Sequence, residues 1–476
     1  MNRRDFIQYG TAAWAGLGAA RLLHAQMQMH PESVPGASGV DITLKIAPVI
    51  VQLDPNRAIS TVGYNGMSPG PVLRMREGKP VTVDVLNETD VPELVHWHGL
   101  FIPPEVDGSE EEGTPMVPAH GRRRYQFTPR PAGTRWYHTH TMAGIDLHRG
   151  TYTGQFGFVL VESADNPGRY DQEVFLALRE WEPFLTSEDM DETEMMPGPQ
   201  PEKPARPDTR QNGLEVGYRI FSINDKALGA GEPIRVKEGQ RLLVHVLNAS
   251  ATGNRSIAFA GHLFNVTALD GNPVAASKAV EVLTLGPGER VDAIVEMNRP
   301  GVWILGATKD DDRNEGMGVM VEYANQHGDP QWAAPSRIQW DYTIFGPPAP
   351  RPAPDQTIDM VFEIIPGGPG NFNHWLVNGK EYPHENEFVL KEGARYRLVF
   401  HNRSDDAHPV HMHRHVFELV EVNGKKTSGV IKDTVVVPNY GRVSVDLVAS
   451  QPGVTLFHCH NQQHMDFGFK ALFHYS

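Results

Sequence analysis

Three stretches of the chain alternate apolar and polar residues with a period of two, and each sits in the same frame. A Glu-Gly pair precedes each stretch, and an Asn stands nine residues after the Gly: Glu77-Gly78 to Asn87, Glu238-Gly239 to Asn248, and Glu392-Gly393 to Asn402. Within the frames, 81–85, 241–246 and 397–400 read as half-buried β-strands, because alternation sends successive side chains to opposite faces. A second landmark, Gly133, Gly301 and Gly453, opens a late strand in each copy. One frame used three times predicts three domains of like fold, at about 40–163, 170–325 and 355–476, with 326–354 as a linker stiffened by the prolines of 346–354. Many short strands between Gly and Pro turns predict an all-β protein of antiparallel β-sandwiches with little helix.

Composition narrows the class of partner. The 476 residues are 40% apolar with 46 Gly and 38 Pro, which suits several cores joined by frequent turns and excludes a small stapled scaffold. A net charge of −15 disfavours nucleic acid or an anionic membrane surface. Residues 1–25 read as a twin-arginine export signal, with Arg3-Arg4-Asp5-Phe6-Ile7 ahead of a weakly apolar run from Gly10 to Leu23 and a small residue at Ala25. Past it no apolar run is long enough to span a bilayer. The expectation is a soluble periplasmic or secreted bacterial protein, passed folded through the twin-arginine machinery.

Histidine and cysteine change the picture most. Cys459 is the single cysteine, so no internal disulfide is available and one thiol needs a purpose. Five His-X-His pairs occur, at 96/98, 138/140, 411/413, 413/415 and 458/460, where random placement of 22 histidines gives about one. In the repeat frame, nine and eleven residues past the Asn stand His96 and His98, then Ile257 and Phe259, then His411 and His413. Five and seven residues past the late Gly stand His138 and His140, then Gly306 and Thr308, then His458 and His460. Repeats one and three thus offer four histidines each and repeat two offers none, which predicts one metal site shared at a pseudo-symmetric interface.

Strand parity divides the ligands. Residues two apart face the same way, so His458 and His460 point to one centre and Cys459 to another. His408 has the parity opposite to His411, and His464 lies five past the cysteine, where a turn can return it. His408, Cys459 and His464 make the His₂Cys set of a blue-copper electron-transfer site. A closed zinc site would leave the paired histidines unexplained.

Together, His96-Trp97-His98-Gly99, His138-Thr139-His140, His408-Pro409-Val410-His411-Met412-His413 and His458-Cys459-His460 with His464 resemble the four copper motifs of the three-domain multicopper oxidases, the laccase family. The resemblance implies three cupredoxin-like Greek-key β-sandwich domains and four coppers. It places type 1 copper on His408, Cys459 and His464, type 2 on His96 and His411, and the type 3 pair on His98, His138, His140, His413, His458 and His460. It implies one-electron oxidation of a phenolic or aromatic reductant at type 1, transfer through Cys459 to His458 and His460, and four-electron reduction of dioxygen to water. A metallo-oxidase acting on Cu(I) or Fe(II) is the nearest alternative. A copper-free cupredoxin scaffold would lack these ligands, and a copper nitrite reductase would leave the second His-X-His pairs without use.

The chain departs from the family in three places. The axial position, ten past the cysteine, holds Phe469, which cannot coordinate. The usual relay carboxylates, three and six past the cysteine, are replaced by Gln462 and Met465, leaving neighbouring Asp466 as a substitute. Asp107, nine after His98, resembles the acid near type 2 copper and is expected to act in proton delivery. His415 is expected to be packed rather than ligating. The Met- and acid-rich 188–196, like Met27, Met29 and His30, reads first as surface with metal recruitment as its sharper alternative.

Overall fold

The computed structural model describes residues 39–163, 169–187, 213–336, 340–384 and 387–476. The export segment, Met27, Met29, His30 and the stretch 188–196 lie outside the described residues. The described chain is built of strands, and its three α-helices, Pro104–Asp107, Asp310–Asn314 and Gln462–Asp466, have four or five residues each. None is long and apolar enough to cross a membrane.

In the first domain a sheet ordered Arg57–Tyr64, Ile42–Asp54, Val81–Asn87, Arg122–Phe127 faces one ordered Leu73–Arg76, Phe156–Glu162, Gly133–His138, His96–His98. Leu44, Val83 and Tyr125 from one sheet and Leu73, Trp97 and Val159 from the other close the core between them. The second domain pairs a six- with a five-stranded sheet, and the third does the same with a larger sheet against a five-stranded one. These are cupredoxin-like Greek-key sandwiches.

The sheets are mixed rather than purely antiparallel. In each domain the opening strand pairs in parallel with the framed strand: Ile42–Asp54 with Val81–Asn87, Gln172–Trp181 with Arg241–Asn248, and Gln356–Ile365 with Arg395–Asn402. The chain leaves for the facing sheet between these two strands, through Leu73–Arg76, Ile234–Val236 or Glu387–Leu390, and so re-enters in the same direction.

The recurrent Asn has a physical role. Asn87, Asn248 and Asn402 are buried at the strand ends, where a side-chain amide can satisfy backbone groups that the sheet no longer serves. Asn87 Nδ2 donates to the carbonyls of Val91 (2.8 Å) and Pro118 (3.1 Å), and its Oδ1 accepts from Thr89 N–H (2.9 Å). Asn248 donates to Gly253 and Leu285 and accepts from Ser250, and Asn402 donates to Asp406 and Pro438 and accepts from Ser404. The same pin thus fixes the loop that leads into His96 or His411.

Domain contacts are apolar and then ionic. Val72, Trp136 and Phe158 of the first domain pack on Ala177, Leu247 and Ala249 of the second. Within the expected linker, Tyr342–Phe345 forms a 3-10 turn whose Tyr342 and Phe345 are buried, and Tyr342 OH donates to Glu289 (2.6 Å).

Candidate metal centre

Short antiparallel pairings set the histidines against one another. His96 lies opposite His138 in the first domain, and His411 opposite His458 in the third, with Val410 opposite Cys459. In the second domain the comparable strands meet with Ile257 opposite Ala307, an apolar pair in the core. Parity therefore works as expected: His458 faces the inter-domain cluster, while Cys459 faces the interior of domain three.

The first and third domains interdigitate at the cluster. The rings of His96 and His413 stack with centroids 3.9 Å apart, and those of His98 and His411 at 3.7 Å. None of His96, His98, His138, His140, His411, His413, His458 and His460 is more than 5% exposed. Burial and the neighbouring imidazoles hold His98, His138, His140, His411 and His458 well below the usual histidine range, His413 at about 4 and His460 at about 3. Neutral imidazole is the ligating form.

One nitrogen of most of these rings is held by protein and the other is bare. His96 Nδ1 donates to the Asp107 carbonyl (2.9 Å), His138 Nδ1 to that of Thr139 (2.7 Å), and His411 Nδ1 to that of Asp433 (2.8 Å). His98 Nε2 lies 3.1 Å from Asp433 Oδ1. The opposite atoms, His96 Nε2, His98 Nδ1, His138 Nε2 and His411 Nε2, together with both nitrogens of His460, are buried without a protein partner. His458 Nε2 sits 3.1 Å from His413 Nε2 and 3.5 Å from His140 Nε2, three lone pairs converging in a dry interior. Such groups are costly unless a cation sits among them. Donor triads of this kind include His96, His411, His413; His96, His98, His138; and His140, His413, His458.

The second centre is made by one helix cap. Asn461 Oδ1 accepts from Gln463 N–H and His464 N–H, starting the helix Gln462–Asp466 just after the strand and returning His464 to the cysteine. His408 Nδ1 and His464 Nδ1 are 3.1 Å apart, and Cys459 Sγ is 3.7 and 3.5 Å from them. A point equidistant from the three lies about 2 Å from each, a length that suits a first-row metal. The outer nitrogens are engaged within the protein: His408 Nε2 with Ser404 Oγ (2.8 Å), His464 Nε2 with the Asn461 amide (3.3 Å). Burial lowers His464 to about 3 and, with His464 beside it, holds His408 well below its ordinary range. Phe469 is buried against the His408 ring at 4.8 Å, and its carbonyl accepts from Cys459 N–H (3.2 Å).

Asp107 lies beside His96, the position the resemblance implied for an acid near the type 2 centre. Asp107 ends the short helix Pro104–Asp107, with Oδ2 2.8 Å from His413 Nδ1 and 3.1 Å from His96 Nδ1. Burial works against its charge, yet the two histidines hold its carboxyl far below the usual range. Burial and the Asp107 charge push neighbouring Glu112 well up. Asp466 is used as an anchor: its Oδ2 accepts from Ala143 and Gly144 N–H (both 2.8 Å) and its Oδ1 from Gln462 Nε2 (2.9 Å). His415 is hydrogen-bonded to the His413 carbonyl and Tyr475 OH, away from both centres.

Sequence reasoning missed a second set of charges. Asp433 pairs with Arg290 of the second domain, Asp270 with Lys432 (2.8 Å), and Lys432 with Glu289 (3.1 Å), all within 2% of full burial. No motif marks them, since Arg290 and Asp270 lie in the repeat that has no histidine at the ligand positions.

A three-domain cupredoxin assembly with a buried His₂Cys centre and a shared histidine cluster defines a class of metal-dependent oxidoreductase. Family profiles described as multicopper oxidase match residues 45–166, 179–325 and 355–476, and the chain belongs to that family. It is thus a copper oxidoreductase of a family whose typical acceptor is dioxygen. The chain is 29% identical to the multicopper oxidase MmcO of Mycobacterium tuberculosis over 460 residues, covering 92% of this chain and 88% of that protein. Copper resistance protein A of Pseudomonas syringae pv. tomato is 32% identical over 183 residues, 38% of this chain and 29% of that protein. The crystal structure of a multi-copper oxidase from Pseudomonas thermotolerans superposes with a TM-score of 0.68 at 23% identity, over 92% of this chain and all of that one.

Proposed function

We propose that the chain holds four coppers, type 1 on His408, Cys459 and His464, type 2 on His96 and His411, and type 3 on His98, His138, His140, His413, His458 and His460. In this reading it couples one-electron oxidation of small phenolic or aromatic reductants to four-electron reduction of dioxygen to water. Copper would supply one-electron acceptance at the Cys459 centre and stored reducing equivalents at the histidine cluster. The chain's own residues do the rest. The observation that carries the reading is the convergence of bare nitrogens in the cluster, joined to the thiol centre by the single peptide step from Cys459 to His458. Cys459 presents its thiol to His408 and His464 while its neighbours His458 and His460 reach the cluster, giving a short covalent electron path. Asp107 fixes two rings and burial excludes bulk water.

A second reductant class, Cu(I) or Fe(II), is favoured by one observation: His408 and His464 are 0% and 3% exposed, with both outer nitrogens engaged, leaving little ring edge for a phenol to touch. The relative named for copper resistance accords with it. The twin-arginine reading of residues 1–25 makes the protein periplasmic or secreted. Oxygen uptake by the copper-reconstituted protein, compared between a methoxyphenol, Cu(I) and Fe(II), tests the assignment. Faster uptake with the phenol supports the laccase-like reading, and uptake confined to metal ions replaces it with the metallo-oxidase one.

A further inference from the structure

Reduction of dioxygen at the cluster consumes four protons, yet the residues that the helix Gln462–Asp466 lends to the cavity wall are an amide and a thioether. A cavity of about 10 Å³, room for roughly one water, opens on His138, Thr139, His140 and His458, and its remaining wall includes Gln462 and Met465. Neither wall residue can give up a proton. Asp466 lies behind Gln462 with its oxygens taken by Ala143, Gly144 and Gln462, and Asp107 is bound to His96 and His413.

One buried carboxylate is hydrogen-bonded to a residue of the cavity wall, Thr139. Glu93 is 5% exposed, and its Oε2 accepts from Gln155 Nε2 (3.0 Å) and Thr139 Oγ1 (3.3 Å). Thr139 Oγ1 also meets Thr141 Oγ1 (3.1 Å). Exposed Val91 and Pro92 directly precede Glu93 in the chain. The groups that face it are Gln155, Thr139, the Arg149 charge and the Tyr64 phenol. Burial raises its carboxyl above the ordinary range, against the lowering by Gln155, Thr139 and Arg149, which favours proton uptake by this carboxylate over an ordinary exposed one.

We propose that Glu93 relays protons to the cluster cavity through the Thr139 hydroxyl, in place of the acids absent at Gln462 and Met465. The proposal rests on the oxidase reading above. In each relay the Glu93 carboxyl gives its proton to Thr139 Oγ1 as that hydroxyl releases its own toward the cavity, and solvent reprotonates the carboxylate. Four such transfers match the four electrons that convert one dioxygen into two waters.

The test is Glu93→Gln, with Glu93→Asp and Thr139→Val beside it, in the copper-loaded enzyme. The expected result is at least a tenfold loss of oxygen turnover at saturating reductant in E93Q and T139V. Partial recovery is expected in E93D, with copper content and the anaerobic rate of type 1 reduction unchanged. The acid limb of the pH–rate profile is expected to move, and an infrared carboxyl band that titrates above the ordinary glutamate range is expected to vanish in E93Q. Should E93Q fail to fold, T139V and E93D carry the test. Wild-type turnover in variants of full copper content overturns the proposal, and so does a loss that tracks lost copper. Failure of the oxidase reading is distinguishable, because the wild type itself would then take up no oxygen.

Discussion

The Arg290 guanidinium, from the domain that contributes no histidine, grips the Asp433 carboxylate with two hydrogen bonds of 2.7 and 2.6 Å, and the same carboxylate lies 3.1 Å from His98 Nε2. The second domain thus reaches the cluster through charge. With Nε2 donating to Asp433, His98 is fixed in the tautomer that turns bare Nδ1 inward. Asp433→Asn is expected to weaken copper binding at the cluster by about 10–100-fold, the usual cost of losing such a partner. It should also destabilise the apo-protein by about 3–5 kcal/mol, since Arg290 and Arg135 remain buried beside a lost charge. Copper titration of the apo-protein checks this, with an unchanged visible band at the Cys459 centre as its internal control.

In the copper assignment proposed above, Phe469 stands where a thioether would donate to type 1 copper. Without that donor the oxidised metal is less stabilised, so the potential should exceed that of a Met-ligated relative. Phe469→Met is expected to lower it in a redox titration, at a packing cost of about 1–2 kcal/mol in this buried ring cluster. An unchanged or raised potential contradicts the axial assignment.

Asp107 orients His413 and His96 at once. Asp107→Asn keeps the shape and removes the charge that holds both rings, so turnover with oxygen should fall by about 10-fold or more. Reduction of type 1 copper by an anaerobic donor should be spared, as stopped-flow absorbance at the visible band would show.

His245 supplies a pH-dependent stability term between the first two domains. Burial works against its charge, but Asp292 at 2.8 Å, supported by Glu173 at 3.6 Å, raises it to about 9; Thr134 and the stacked Phe175 ring complete its surroundings. A folded pKa above the unfolded value of about 6.5 gives stability that is full below pH ~6.5 and lost as pH rises through about 9. Thermal midpoints should therefore fall between pH 7 and 10, and His245→Gln should flatten that decline.

Much of this was legible in the sequence because strand geometry is periodic. Alternation at 81–85, 241–246 and 397–400 predicted strands that exist, and the two-residue spacing of His458 and His460 placed Cys459 on the other face. The parallel pairing in each domain was not legible, since it depends on which sheet the intervening strand joins. The Arg290–Asp433 contact was hidden for a different reason: it spans 143 positions and is created only when two domains dock. Glu93 was equally silent, since a single acid ahead of His96 acquires meaning only once Thr139 is beside it.

The most direct test of the whole account is the ratio of electrons taken from a donor to dioxygen consumed by the copper-loaded protein. Four electrons per dioxygen, with no hydrogen peroxide detected and the ratio lost in Cys459→Ser, is the predicted result. Two electrons per dioxygen with peroxide accumulating, or uptake that survives loss of the thiol, would contradict it.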